Sequence, residues 1–250
     1  AGYNGNIIDA DINAGQLLDI PMLGKIKFHG GISSDGLTDK SGIKFNGTVE
    51  SGTYGGYTFK NISADALYKN NTLKSLFNIN DPNLAGEIET TLDFNQAKQN
   101  YIANGTISTA NLKALGLTKE NIRFSGNFDI NFSGKNIDDF LGYAHLYNTN
   151  LLLDSKNLNF DSLTFTSTID TAGVKHLSLR TNEATADVKG KFNLLSLPNS
   201  FQYFLSSYYP AFIPAPKNKV KDQDFSFEII TRNISPFLGL FTKDIKGLDQ

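Results

Sequence analysis

Apolar and polar residues alternate along most of this chain, which is the pattern of β-strands with one buried and one exposed face. The clearest stretch, 122–132, alternates without exception over its whole length. Its apolar row contains Ile122, Phe124, Gly126, Phe128, Ile130 and Phe132. Similar rows occupy alternate positions of 84–94 and 184–194. The pattern therefore predicts an all-β chain.

Shorter alternating stretches fill much of the remaining sequence. Residues 43–59 predict a hairpin whose turn lies at Ser51 and Gly52. Further strands are predicted at 141–153, 158–169 and 174–181, and again from Phe225 onward. Another element is predicted to begin within 234–240. Strand structure thus extends from residue 43 almost to the end of the chain.

Each of the three clearest rows contains a glycine among its apolar residues, at Gly86, Gly126 and Gly190. Glycine inside a strand costs stability, so its presence indicates a bend or the close approach of another backbone. The copies are unevenly spaced, which indicates a loose repeat and not a solenoid of fixed period. A sheet bent in the same way at several places would curve into a trough.

One helix is predicted, at 197–209, and Pro210 ends it. A shorter turn of helix is predicted at 110–115. Apolar residues recur there at helical spacing: Phe201, Phe204, Leu205 and Tyr208. Its apolar side has three interpretations, namely a cover over the sheet, a contact with a membrane surface, or core packing, which is the default. Residues 211–222 are rich in proline and lysine and predict a solvated loop.

The charge balance gives no general electrostatic attraction for nucleic acid or for anionic lipid headgroups, so binding of either would need a local basic patch. The 250 residues carry 23 basic and 25 acidic side chains, a net charge of −2, without a local basic patch. The chain has no cysteine, and therefore no disulfide and no thiolate metal site. No stretch approaches the ~20 apolar residues of a membrane helix. We expect a mature protein or a fragment, with any membrane anchor outside it.

Residues that could carry catalysis are scattered. His29, His145 and His176 lie far apart, without a second ligand at metal-binding spacing, and we expect His145 to be an ordinary hydrogen-bonded strand residue. The adjacent pair Asp138 and Asp139 is typical of a solvated loop tip. No nucleophile, phosphate-binding or dinucleotide motif is present. We expect no enzyme activity, no metal and no cofactor, although carboxylates that converge only in space leave a β-rich hydrolase open.

The apolar rows allow two arrangements. In a β-sandwich they meet the rows of a second sheet, whereas in an open trough they line a groove. The pattern alone favours the sandwich, because soluble proteins rarely expose apolar faces of this size. The exceptions to that rule are sites for apolar ligands.

Three stretches of the sequence carry a family resemblance. Residues 75–94, 124–142 and 177–192 read SLFNINDPNLAGEIETTLDF, FSGNFDINFSGKNIDDFLG and LSLRTNEATADVKGKF. They resemble the TamB family of the translocation and assembly module, in its Bacteroidetes-like form, within the broader AsmA-like group. The predicted helix and the break at Pro210 resemble that family as well. The similarity extends over roughly 40–245, whereas residues 1–40 match poorly.

The resemblance implies that 1–250 is one continuous segment of a long periplasmic protein, anchored to the inner membrane through a segment outside this chain. The implied fold is an elongated, curved, mostly antiparallel sheet, taco-like with an open hydrophobic groove. The implied function is non-enzymatic: phospholipid transport between inner and outer membranes, support of outer-membrane protein assembly, or both. The alternative is a β-sandwich module that binds carbohydrate or protein at the cell surface.

The resemblance also implies partners and a site. The partners are phospholipid acyl chains, an Omp85-family barrel of the TamA type and the remainder of its own chain, with no nucleic acid. The predicted lining residues of the groove are Ile43, Phe45, Val49, Ile88, Leu92, Phe94, Ile122, Phe124, Phe128, Ile130, Phe132, Leu163, Phe165, Val188, Phe192 and Phe227. The predicted helix cover is Phe201, Phe204, Leu205 and Tyr208. An ordinary core predicts the same inward face for each of them.

Overall fold

The computed structural model describes residues 3–13, 16, 22–36, 41–95, 99–134, 137–154, 156–216 and 223–232. These residues form a single 13-stranded sheet in which the spatial order of the strands is their order in the chain. Every neighbouring pair is antiparallel. The prediction of an elongated, curved, antiparallel all-β sheet with one short helix is confirmed.

The strands are mostly of similar length, and most connections are short, whereas the long connection 192–223 between β12 and β13 carries the helix. Their bounds are β1 Tyr3–Asn13, β2 Leu23–Ser34, β3 Ile43–Tyr54, β4 Tyr57–Lys69, β5 Thr72–Asp81, β6 Leu84–Asp93, β7 Asn100–Asn111, β8 Ile122–Ser133, β9 Leu141–Leu153, β10 Lys156–Ile169, β11 Lys175–Thr181, β12 Ala184–Lys191 and β13 Asp224–Thr231. The helix α1 is Leu197–Tyr208. Two 3₁₀ turns are Ile137–Asp139 and Leu194–Ser196.

The first predicted hairpin is present, but its turn was predicted wrongly. Ser51 and Gly52 lie inside β3, where Gly52 pairs with Phe59 of β4. The turn is formed instead by Gly55 and Gly56, whose φ angles are +59° and +88°. Positive φ at both central residues matches the twist of a two-residue hairpin, and glycine adopts it without steric cost.

The β-sandwich alternative is wrong for the described part of the chain. Strand-to-strand packing there is between sequence neighbours, and no second sheet covers the first. The accessible surface is 16390 Å², whereas a compact protein of this length exposes roughly 11,000 Å². The described residues therefore form an open layer and not a globule with a central core.

The predicted close approach at strand glycines is confirmed. A Cβ atom on Gly86 would collide with the carbonyl oxygen of Thr106 on the next strand. A Cβ on Gly190 would collide with the carbonyl of Asp224, and its φ of +154° is unfavourable for other residues. Neighbouring backbones thus come closer at these points than side chains allow, which permits the sheet to bend there.

A cluster of buried apolar residues lies near the middle of the sheet. Ile107, Ala110 and Phe128 form a cluster with Leu115, which comes from the connection between β7 and β8. The amide of Leu115 donates to the carbonyl of Asn111 in a single helical turn. This turn folds the leucine over one face of the sheet.

The helix and its flanks follow the predicted boundaries closely. α1 ends with the Tyr209 amide donating to the Leu205 carbonyl, immediately before Pro210. Residues 211–216 contain neither helix nor strand, as predicted for a loop. The rest of the predicted loop, 217–222, and the element predicted within 234–240 lie outside the described residues.

Candidate functional site

The strand register brings the predicted lining residues to one side of the sheet. Residues directly opposite each other on neighbouring strands point to the same face. Across the middle of the sheet, Ile88 opposes Gly105, Gly105 opposes Phe128, Phe128 opposes Leu146, and Leu146 opposes Leu163. We call this side the apolar face and the opposite side the outer face.

A second row extends the apolar face to the last described strand. From β6 to β13 its opposed residues are Leu92, Tyr101, Phe132, Gly142, Ser167, Leu177, Val188 and Phe227. Phe45 and Val49 occupy the same face on β3, where they oppose Ala66 and Ile62. Residues predicted from separate stretches therefore share one continuous surface.

Most of this surface keeps contact with solvent. Among the predicted lining residues Phe128 is buried, at 9% exposure. Ile43, Phe94 and Phe227 are exposed, and the others are half-buried. The apolar face is therefore accessible along much of its length, in contrast to the inner face of a sandwich.

Aromatic rings lean together across the apolar face. The centroids of Phe132 on β8 and Phe165 on β10 are 6.2 Å apart, although β9 lies between their strands. Two strand spacings amount to about 9.6 Å of backbone separation. Convergence of this kind is expected on the concave side of a curved sheet. Phe28 and Phe45 make a similar edge contact at 5.6 Å, at the other end of the sheet.

Two connecting segments fold over the apolar face, and the sequence pattern did not predict either. Leu115 covers Phe128 from the β7–β8 connection. Phe140, between β8 and β9, stacks on Phe132 with centroids 5.7 Å apart and also contacts Tyr101. Gly134 directly follows β8, six residues before Phe140. A glycine at the end of a strand is the signal that could have indicated a chain reversal onto the face.

The helix α1 packs on the apolar face at its β12–β13 end. The ring of Phe201 lies 5.6 Å from that of Phe225 and 4.8 Å from that of Phe227. Phe204 also contacts Phe227, at 5.5 Å. The other two predicted cover residues, Leu205 and Tyr208, are exposed. The helix thus covers one end of the face and leaves part of its own apolar side open.

A polar cluster links the β8–β9 connection to β11 and to the segment that follows β12. Asp138 accepts a hydrogen bond from the Leu194 amide at 2.5 Å and so links the two 3₁₀ turns. Lys175 is buried, and its ammonium donates to the backbone carbonyl of Asp138. Burial lowers the pKa of Lys175, while Asp138 and Asp139 act in the opposite direction. Asp139 is exposed as predicted, but Asp138 is half-buried and not a solvated loop tip.

A second polar group lies near the opposite edge of the apolar face. Asp81 is buried and accepts hydrogen bonds from the Tyr57 hydroxyl at 2.6 Å and from the Lys60 amide at 2.9 Å. Burial, together with the bond to Asp81, raises the pKa of Tyr57. These bonds satisfy the carboxylate at the end of β5, and their partners belong to the same sheet.

The outer face is polar and internally hydrogen-bonded. His145 shares a hydrogen bond with Ser162 at 2.9 Å, as expected for an ordinary strand histidine. The Tyr143 hydroxyl donates to Asp129 at 3.2 Å. Within the described ranges no group of three or more His, Cys, Asp or Glu side chains is arranged to hold a metal ion.

Two further findings bear on what the chain is. Across the described residues, no helix combines the length and apolar character needed to cross a membrane. No protein-family model, curated protein or solved structure matches the chain. The resemblance to the TamB family therefore remains a prediction from the sequence.

Proposed function

We propose that the apolar face binds the acyl chains of phospholipids and that the segment carries lipid between two membranes without catalysing a reaction. In this proposal the groove of the sheet holds the tails, and the headgroups stay in water. The same segment supports outer-membrane protein assembly, as the family resemblance implies.

One observation carries the proposal. The apolar side chains of many strands share one face, and that face remains accessible instead of meeting a second sheet in the described structure. A soluble protein rarely leaves so large an apolar surface open unless an apolar ligand or partner covers it. A long, narrow ligand suits a surface that runs across successive strands.

Elementary energetics support an acyl chain as that ligand. The transfer of each methylene from water to an apolar surface is favourable by about 0.8 kcal/mol. An acyl chain therefore needs no polar anchor to stay on a continuous apolar surface. The predicted lining residues carry no charge, and charged groups such as Asp81 and Lys175 are held by hydrogen bonds to the protein itself. Many similar weak sites, in place of one deep pocket, allow the lipid to move along the sheet.

The cellular setting of the proposal rests on the resemblance. It places the segment in the periplasm, anchored to the inner membrane through a part of the protein outside this chain. The partners are the remainder of that chain and an Omp85-family barrel of the TamA type. An open sheet supports such docking in a general way, because an unpaired edge strand can add a strand from a partner.

A paired substitution tests lipid binding. Phe132→Asp with Phe165→Asp places two charges on the apolar face, at half-buried positions on β8 and β10. The matched control, Asn131→Asp with Thr164→Asp, places the same charges one residue away on the outer face. We expect the first variant to co-purify with phospholipid in an amount reduced at least about tenfold, as measured by native mass spectrometry. The reason is that acyl chains do not solvate a carboxylate.

The control decides what a loss means. Circular dichroism and urea unfolding establish that both variants are folded. Normal lipid loading by a folded Phe132→Asp, Phe165→Asp variant would contradict the proposal, as would an equal loss in the outer-face control. A wild-type protein without lipid that retains glycans or a protein ligand would favour the rival binding-module function.

A further inference from the structure

The apolar side of α1 continues beyond the part that packs on the sheet. Leu197 at its start is 7% exposed, Phe204 is 41%, Tyr208 is 68%, and Phe212 just after the helix is 87%. The first three residues lie on one side of the helix, since they are separated by whole turns or nearly so. A single apolar stripe therefore begins on the apolar face of the sheet and runs out into solvent.

The exposed part of the stripe has the composition of a membrane-interface segment. Tyr208 and Tyr209 each combine an apolar ring with a polar hydroxyl, the combination enriched at the headgroup level of bilayers. Residues 192–216 contain no charged side chain, although charged residues make up 19% of the chain.

The charges that follow this segment in the sequence favour an anionic surface. The next charged residues after it are Lys217, Lys219 and Lys221. Lysines that flank an apolar segment are attracted to anionic phospholipid headgroups. Lys189 and Lys191, which precede the segment, lie on the outer face, away from the side on which α1 packs.

We propose that the exposed end of the stripe, Tyr208 and Phe212, inserts into the surface of an anionic phospholipid bilayer together with its exposed neighbours Leu205 and Tyr209. Because the stripe is continuous with Phe201 and the apolar face, an acyl chain can pass from the bilayer to the sheet along apolar contacts. The inference rests on the proposed function and deepens it, since it names the surface at which lipid enters or leaves.

Vesicle flotation of the whole chain tests the contact. The vesicles contain phosphatidylethanolamine with phosphatidylglycerol, or phosphatidylcholine alone. Tyr208→Ser with Phe212→Ser removes two strongly exposed rings of the stripe, and Leu76→Ser with Tyr143→Ser removes exposed apolar groups from the outer face as a control. We expect wild type and control to float with the anionic vesicles, and the fraction of the stripe variant that floats to fall at least about tenfold.

Each other outcome overturns the contact. Equal flotation of the stripe variant and the control does so, as does a wild type that binds neither vesicle. A wild-type dimer that becomes monomeric in the stripe variant, without vesicle binding, assigns the stripe to a second copy instead.

Lipid loading separates this inference from the proposed function. Native mass spectrometry measures lipid carried by the stripe variant away from vesicles. Lost flotation with normal loading supports a membrane contact distinct from the apolar face. If the wild type carries no lipid but floats through the stripe, the proposed function fails while the membrane contact stands.

Discussion

The middle of the sheet and its β13 end share the same alternating pattern but bury it to different degrees. Phe128 in the middle is 9% exposed and lies in the cluster with Leu115. At the β13 end, Phe227 is 38% exposed and Ile229 is 57% exposed. Both regions belong to the apolar face, so the strands themselves do not account for the difference.

The middle of the sheet and its β13 end differ in the connecting residues that fold over the apolar face. Leu115 covers the middle, and Phe140 covers Phe132 beside it. At the β13 end, the rings of α1 reach Phe225 and Phe227 but leave the rest of the strand open. Alternation therefore determines which side is apolar, whereas the connections determine how much of it a ligand can reach. Phe128 behaves as core, although it belongs to the predicted lining.

The largest effect is expected when the same charge is placed in the middle of the apolar face and at its β13 end. Phe128→Asp buries a carboxylate without a partner and removes core packing, so we expect a loss of about 3–5 kcal/mol in the free energy of unfolding. Phe227→Asp replaces a side chain that is 38% exposed but contacts the rings of α1, so we expect a smaller loss of about 1–2 kcal/mol there. Urea unfolding measures both. Similar losses at the two positions would remove the distinction between a core and an open end.

Two glycine substitutions compare a position where neighbouring backbones approach closely with a position that has room for a side chain. Gly86→Ala places a methyl group against the Thr106 carbonyl, and we expect a loss of about 2 kcal/mol in the free energy of unfolding. The matched control is Gly52→Ala, where the new Cβ would lie 3.4 Å from Val49 Cγ1, an ordinary contact. We expect the control to be neutral or to gain about 0.5 kcal/mol. Equal urea midpoints would show that close approach at Gly86 does not restrict the side chain.

Particular residues show why some strands were predictable. β8 alternates without a break, so its apolar row is evident from the sequence alone. β5 was not predicted, because Ser75 interrupts its apolar row and Leu76 places a large apolar residue on the outer face. Ser75 is accommodated by a 2.6 Å hydrogen bond to Thr90, a contact between strands that no local pattern reveals.

The candidate site was predictable in the same partial way. Alternation predicted correctly that Phe132, Phe165 and Val188 share a face, because register follows from side-chain period. It did not predict that Leu115 and Phe140 fold over that face, since single residues in connections carry no period. Nor did alternation separate a sandwich from an open sheet, because both require the same apolar rows.

Removing the helix contact is expected to open the β13 end further. Phe201→Ala deletes the ring that contacts Phe225 and Phe227, and we expect a loss of about 1–2 kcal/mol, less than for a fully buried phenylalanine. Binding of a hydrophobic dye should rise, because the apolar face loses its cover there. Tyr203→Ala, an exposed residue of the same helix, is the control. Unchanged dye binding in Phe201→Ala would mean that α1 does not limit access.

The smallest effect concerns a single hydroxyl beside the central cluster. Tyr57 packs against that cluster, and its hydroxyl donates to Asp81 at 2.6 Å and accepts from Asn83 at 3.0 Å. Tyr57→Phe keeps the ring and removes both bonds. We expect a loss of about 1 kcal/mol in the free energy of unfolding near neutral pH.

The pH dependence of that loss identifies its cause. The pKa of Tyr57 is raised above its ordinary value of 10.0 in the folded protein, chiefly by burial and then by the bond to Asp81. The folded state thus holds the proton more tightly than the unfolded chain, so this contribution is complete below about pH 10 and declines as pH rises through the folded pKa. The gap in unfolding free energy between wild type and Tyr57→Phe should therefore narrow above pH 10. A gap that stays constant into that range would mean that the loss in Tyr57→Phe does not come from the hydrogen bonds of the protonated hydroxyl.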